Sequence, residues 1–287
     1  MNELEHIEVS ARGFTFRAIR SGPQDARPVL FLHGFPQTSW SWHHQLSALA
    51  GAGIQAVAFD QRGYSPGARP EGVEAYRTGE LVEDVVAVAD ALGMDRFDLV
   101  GHDWGGMVAW LVAGRHPGRV RTLSVFSTPH PGAFGAALLG RDADQVSRSS
   151  YIEVFREPGT AERALLGEDG SGEGLRVMFA ATGLPSEEVG VFVEAMREPG
   201  ALTAALNWYR AMSMEELAGM GPITMPTLYV WSTDDVALGR SAAEGTAGWV
   251  EGPYRFEVLD SVSHWIPEAA PEAASALLIE HLEGHPG

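Results

Sequence analysis

The 287-residue chain contains no cysteine and no lysine; all 20 of its cationic residues are arginine. The first absence excludes a disulfide framework, a thiol nucleophile, cysteine-ligated zinc and iron–sulfur clusters. The second excludes Schiff-base chemistry, a pyridoxal-phosphate lysine and a P-loop lysine. Positive charge is scarce overall, since 38 Asp and Glu leave a formal net charge of −18. Such a surface repels a phosphate backbone, so no nucleic-acid partner is expected. No apolar run is long enough to span a bilayer, and residues 1–10 (MNELEHIEVS) carry acids where a secretory leader has a basic region. The expectation is a cytoplasmic protein with no membrane partner. At 45% hydrophobic and 20% charged, the composition suffices for a sizeable core.

What is present is a rhythm of short apolar runs and longer helix-like stretches, the pattern of a mostly parallel sheet flanked by helices. Buried strands are expected at Pro28–Leu32, Gln55–Phe59, Phe97–Val100, Thr122–Phe126, Thr227–Trp231 and Arg255–Leu259. Helices are expected at Thr78–Leu92, Gly105–Arg115 and Ala269–Leu282, the last with Pro271 in its first turn. Residues 129–222 break the rhythm with helix-like pieces and no convincing strand. They read as a mostly helical cap inserted into a core of residues 1–128 and 223–287, with Glu168–Gly174 (EDGSGEG) as a solvated loop.

The chemistry concentrates in Gly101–His102–Asp103–Trp104–Gly105–Gly106, between an expected strand and an expected helix. Glycines on both sides of one residue fit the tight strand-to-helix elbow that lifts a nucleophile above a sheet. The central residue is usually Ser; here it is Asp103. Alone, the pattern also fits an Asp capping a helix. Its context adds weight. His33–Gly34–Phe35–Pro36 follows an early strand, where such folds place an oxyanion-hole amide. An acid follows a late strand at Asp234 or Asp235, adjacent residues that the pattern alone leaves open, and His264 follows the last one. Nucleophile, acid, histidine is the α/β-hydrolase chain order. After the Thr122–Phe126 strand, a rival position for the acid holds Ser127 and no carboxylate. His281 and His285 read as surface residues of the terminal segment.

An ionised carboxylate is a nucleophile without a base. Attack on an ester or amide would give an anhydride, whereas attack on a strained ether or a halide-bearing carbon gives an ordinary ester. Water activated by His264, oriented by Asp235, can then hydrolyse that ester. The N–H groups of Phe35 and Trp104 are the expected oxyanion donors. No metal and no organic cofactor is expected.

With these residues in hand, the chain resembles the epoxide hydrolases of the α/β-hydrolase superfamily over nearly its whole length. The resemblance is carried by the HGFP loop, Asp60–Tyr64 (DQRGY), GHDWGG and Ser127–Pro131 (STPHP). In the cap it is carried by Leu206–Arg210 (LNWYR) and by Tyr151 ahead of Phe155–Gly159 (FREPG). It implies that Tyr151 and Tyr209 bind and protonate the oxygen of a small hydrophobic epoxide, with water as co-substrate. Pro36, Trp208 and Trp265 are the expected substrate-contacting residues, and Phe134, Leu138, Phe179 and Met212 add apolar cap candidates. One departure is Ser232, where the family usually has Gly after the Trp of the acid turn. A dehalogenase with the same Asp-His-Asp set is the nearest competing reading. A non-catalytic receptor for a small ligand is a weaker one, and the oligomeric state, monomer or homodimer, is left open.

Overall fold

The computed structural model describes residues 4–180, 182–213, 220 and 222–286. Eight strands form one sheet in the order β1-β2-β4-β3-β5-β6-β7-β8. They are β1 (Glu5–Ala11), β2 (Phe14–Ser21), β3 (Pro28–Leu32), β4 (Gln55–Phe59), β5 (Phe97–His102), β6 (Val120–Phe126), β7 (Thr227–Asp234) and β8 (Tyr254–Ser263). From β4 to β8 every neighbour is parallel; β1 and β2 pair antiparallel at one edge.

That β1–β2 hairpin is absent from the sequence-based expectation. Its residues mix polar and apolar types, because the sheet edge is half exposed, and so lack the continuous apolar runs of the central strands. In the centre, side chains alternate between two cores. Leu30, Leu32, Val57, Phe59, Leu99 and Val125 belong to one, and Val29, Phe31, Ala56, Ala58, Val100 and Phe126 to the other. Helices α2 (Thr78–Ala91) and α3 (Trp104–Arg115) cover the first face. Helix α1 (His43–Gly51) and the terminal helix Pro271–Gly284 cover the second, with Leu46 and Leu49 packed in the same core as Leu278 and Leu282. His281, expected at the surface, is 4% exposed, because this helix turns that side toward the sheet.

Between β6 and β7 the described residues form seven helices and no strand: Pro131–Leu139, Ala143–Arg148, Tyr151–Arg156, Thr160–Leu166, Glu173–Phe179, Ser186–Arg197 and Ala201–Ala211. The stretch read as an open EDGSGEG loop is shorter than expected: a helix starts at Glu173, and Arg197 Nε donates to the Gly170 carbonyl at 2.7 Å. No helix among the described residues is long and apolar enough to cross a membrane.

Candidate active site

Asp103 occupies the turn between β5 and α3 with φ near +50°, a conformation that non-glycine residues adopt only under constraint. The flanking glycines make that turn possible. A Cβ at Gly105 would collide with the Leu32 and His33 carbonyls, and one at Gly34 with the Asp103 side chain itself. The DQRGY segment braces the neighbouring loop: the Gln61 N–H donates to His33 Nε2 at 3.1 Å and its amide to the His33 carbonyl at 2.7 Å. Phe35 is thereby held so that its N–H donates to Asp103 Oδ1 at 2.7 Å. Trp104 opens α3, where a backbone N–H has no intrahelical acceptor.

The other carboxylate oxygen, Oδ2, lies 3.4 Å from His264 Nε2. On the far side of the ring, Nδ1 is 2.9 and 3.0 Å from the two oxygens of Asp235. Asp235 is fully buried and its Oδ1 accepts from the Ala237 and Leu238 N–H groups, whereas the adjacent Asp234 is exposed. Of the two adjacent acids, Asp235 is the one that faces the imidazole.

Ser127, the first residue of the STPHP segment and the rival acid position without a carboxylate, enters this cluster. Its φ of +71° turns Oγ inward, to donate to Asp235 Oδ2 and lie 2.9 Å from His264 Nδ1. Arg148, on a helix between β6 and β7, donates to the Asp235 carbonyl. Nothing local in the sequence marks these two contacts, because both join segments about 90 or more positions apart.

Charge balance follows from this packing. Burial alone would push His264 down, but Asp235 and Asp103 on its two sides outweigh it and raise it to about 10. Burial would push Asp103 up; the hydrogen bond and charge of His264 and the Phe35 N–H instead hold it below the ordinary carboxylate range. Both shifts favour an imidazolium set between two carboxylates.

Tyr151 and Tyr209 close the opposite wall, with ring centroids 6.1 Å apart and Phe155 against both. Burial first, and nearby negative charge from Asp103 in addition, raise both phenols above their usual value. Two adjoining cavities meet at Asp103, Tyr151, Tyr209 and Ala237. The larger, about 290 Å³, is lined also by Phe35, Phe155, Met178, Val236, His264 and Trp265. The smaller, about 50 Å³, is lined also by Trp104, Met107, Phe134, Ile152, Met212 and Leu238.

Of the expected substrate contacts, Trp265 lines the larger cavity, but Pro36 and Trp208 line neither. Trp208 is 1% exposed, donates its indole N–H to the Arg62 carbonyl at 2.9 Å and packs on Tyr64 and Trp104. Successive helical residues point about 100° apart, so the turn that aims Tyr209 at the cavity aims Trp208 into the packing beside it. Among the apolar cap candidates, Phe134 and Met212 line a cavity; Phe179 packs on Phe192 and Trp265 instead, and Leu138 lines neither.

A mostly parallel sheet, with an acidic side chain at a glycine-flanked elbow and an acid and a histidine after its last two strands, defines an α/β hydrolase. The chain belongs to the family described as the alpha/beta hydrolase fold, whose model matches residues 27–271. It is 31% identical to Epoxide hydrolase A of Mycobacterium tuberculosis, over 96% of both chains. It is 33% identical to AB hydrolase superfamily protein YfhM of Bacillus subtilis, again over 96% of both. Among solved structures, Epoxide Hydrolase A from Mycobacterium thermoresistibile superposes with a TM-score of 0.86 at 30% identity, covering 98% of this chain and 99% of the other.

Proposed function

We propose that this protein hydrolyses an epoxide to a vicinal diol through a covalent ester on Asp103. The observation that carries the proposal is the placement of one carboxylate between a phenol pair and an imidazole. Asp103 Oδ1 is held by the Phe35 N–H, which leaves Oδ2 to attack an epoxide carbon. The C–O bond of the ring breaks, and Tyr151 or Tyr209 gives the departing oxygen its proton. The raised phenols stay protonated until that moment.

Esterification then removes the charge of Asp103. His264 loses one of its two carboxylate neighbours, and its affinity for a proton falls just when a base is required. The proton that His264 carried at rest returns through solvent to the phenolate left by ring opening, and the neutral imidazole then takes a proton from the water that adds to the ester carbonyl carbon. The oxyanion forms at Oδ1, facing the Phe35 and Trp104 N–H groups. Its collapse expels the second diol oxygen, which takes the proton from His264, and the acid left at Asp103 gives its own proton to the imidazole, restoring the imidazolium and the carboxylate. We infer further that residues 129–222 act as a lid over the core and carry the phenols, and that the substrate is small and hydrophobic, as the apolar cavity walls suggest.

Single turnover in ¹⁸O-labelled water with excess enzyme tests the route: label belongs in Asp103, and the first diol released is unlabelled. Label directly in the diol, with none in Asp103, sinks the ester mechanism. Turnover of a chloroalkane faster than styrene oxide would favour the dehalogenase reading instead.

A further inference from the structure

Behind His264, away from the cavity, runs a chain of buried polar side chains that the proposed reaction does not use. Glu268, on the short helix Ile266–Ala269, is 6% exposed; one of its oxygens meets the Gln37 amide and the other has no partner among the described residues. The far end of that amide is 3.1 Å from His102 Nδ1. His102 Nε2 in turn is 2.9 Å from the backbone carbonyl of His264.

Donors and acceptors constrain the protons along this chain. A carbonyl only accepts, so His102 Nε2 carries hydrogen. In a neutral His102, Nδ1 is then an acceptor, and the NH₂ of Gln37 must face it, an orientation interchangeable in shape with its flipped form. The Gln37 oxygen is left facing a Glu268 oxygen, and two oxygens in hydrogen-bond contact need a proton between them. The opposite amide orientation requires an imidazolium at His102, with the Gln37 NH₂ donating to Glu268 as either a carboxylate or an acid. Burial opposes both charges: it lowers His102 to about 4 and raises Glu268 well above the usual range. Glu188, from helix Ser186–Arg197, adds negative charge near Glu268 and favours its neutral form, whereas His264 acts against it.

We propose that Glu268 is a protonated positioning residue, which through Gln37 and His102 anchors the backbone of His264 while adding no charge behind it. The proposal rests on the reading of His264 as the base. A carboxylate there would oppose the fall in His264 proton affinity that the second half-reaction needs. A neutral acid holds the geometry and leaves that fall to Asp103 alone.

Infrared difference spectra between wild type and Glu268→Gln test the protonation without substrate. At pH 8 the wild type should show a carboxylic-acid C=O stretch that shifts in D₂O and is absent from the variant. Its absence from the wild type overturns the proposal. In steady-state kinetics with styrene oxide, Glu268→Gln, which keeps a neutral donor, should keep kcat within about twofold and the pH limb of kcat in place. Glu268→Leu should lower kcat by tenfold or more with KM within about twofold. Equal losses in both variants, or full kcat in Glu268→Leu, also overturn it. If Glu268→Leu fails to melt cooperatively, the spectrum and Glu268→Gln still decide. A wild type inactive on every epoxide would instead sink the reading of the site and leave the spectral result standing.

Discussion

Neutralising Asp103 should release His264 as a base, and Asp103→Asn imitates the uncharged ester in that respect. Nε2 and Oδ2 are 3.4 Å apart. At an effective dielectric of about 20, unit charges at that separation interact by on the order of 5 kcal/mol, equivalent to roughly three and a half pKa units. His264, raised to about 10 in the resting site, should therefore titrate near neutrality in the variant, with Asp235 as its remaining partner. The assay is ¹⁵N NMR of the imidazole nitrogens across pH 5–11 in both proteins, with intact mass confirming that the asparagine has survived. Midpoints within one unit of each other would refute the reasoning. The imidazolium would then owe its stability to Asp235 alone, and ester formation could not switch it.

Tyr209→Phe and Tyr151→Phe should each slow ring opening, and the double variant should lose on the order of 10² to 10⁴ in rate, read by rapid-quench trapping of the Asp103 ester; an unchanged ester-formation rate would remove the phenols from the chemistry. Folding should weaken in alkali. His264 has a folded value above its unfolded one of about 6.5, so its stabilisation is complete below that value. It is lost as pH rises toward about 10. The loss should be roughly 3 to 5 kcal/mol by linkage in urea melts, and His264→Gln should flatten the dependence. Trp208→Phe removes the donor of the buried Arg62 carbonyl and should cost roughly 1 to 3 kcal/mol of stability. Substrate preference should not change, because the ring lines neither cavity; Trp265→Ala, by contrast, should raise KM for bulky aryl epoxides.

Much of the fold was legible because its central strands are buried on both faces and are written as unbroken apolar runs, as in PVLFL and QAVAF. The β1–β2 hairpin was not, since an edge pair carries mixed residues and pairs antiparallel. Asp103 and His264 could be singled out because elbow glycines and chain order are local properties of a sequence. Tyr151 and Tyr209 needed family-like context, since a tyrosine carries no sign of the wall it joins. The direction of Trp208 was hidden for the same reason: adjacency to Tyr209 in sequence is divergence in direction on a helix.

The sequence by itself determined which chemistry was possible. With no thiol and no amine in any side chain, covalent catalysis falls to a hydroxyl, a carboxylate or an imidazole, and the glycines around Asp103 mark the carboxylate that the backbone can present. Only the tertiary structure decided how that carboxylate is controlled. It set His264 between Asp103 and Asp235, turned Ser127 onto the acid, and stacked Glu268, Gln37 and His102 behind the imidazole. Those residues lie tens to hundreds of positions apart, and the electrostatic and hydrogen-bond energies that couple them depend on separations of about 3 Å, which exist only once the sheet has brought its strand ends together.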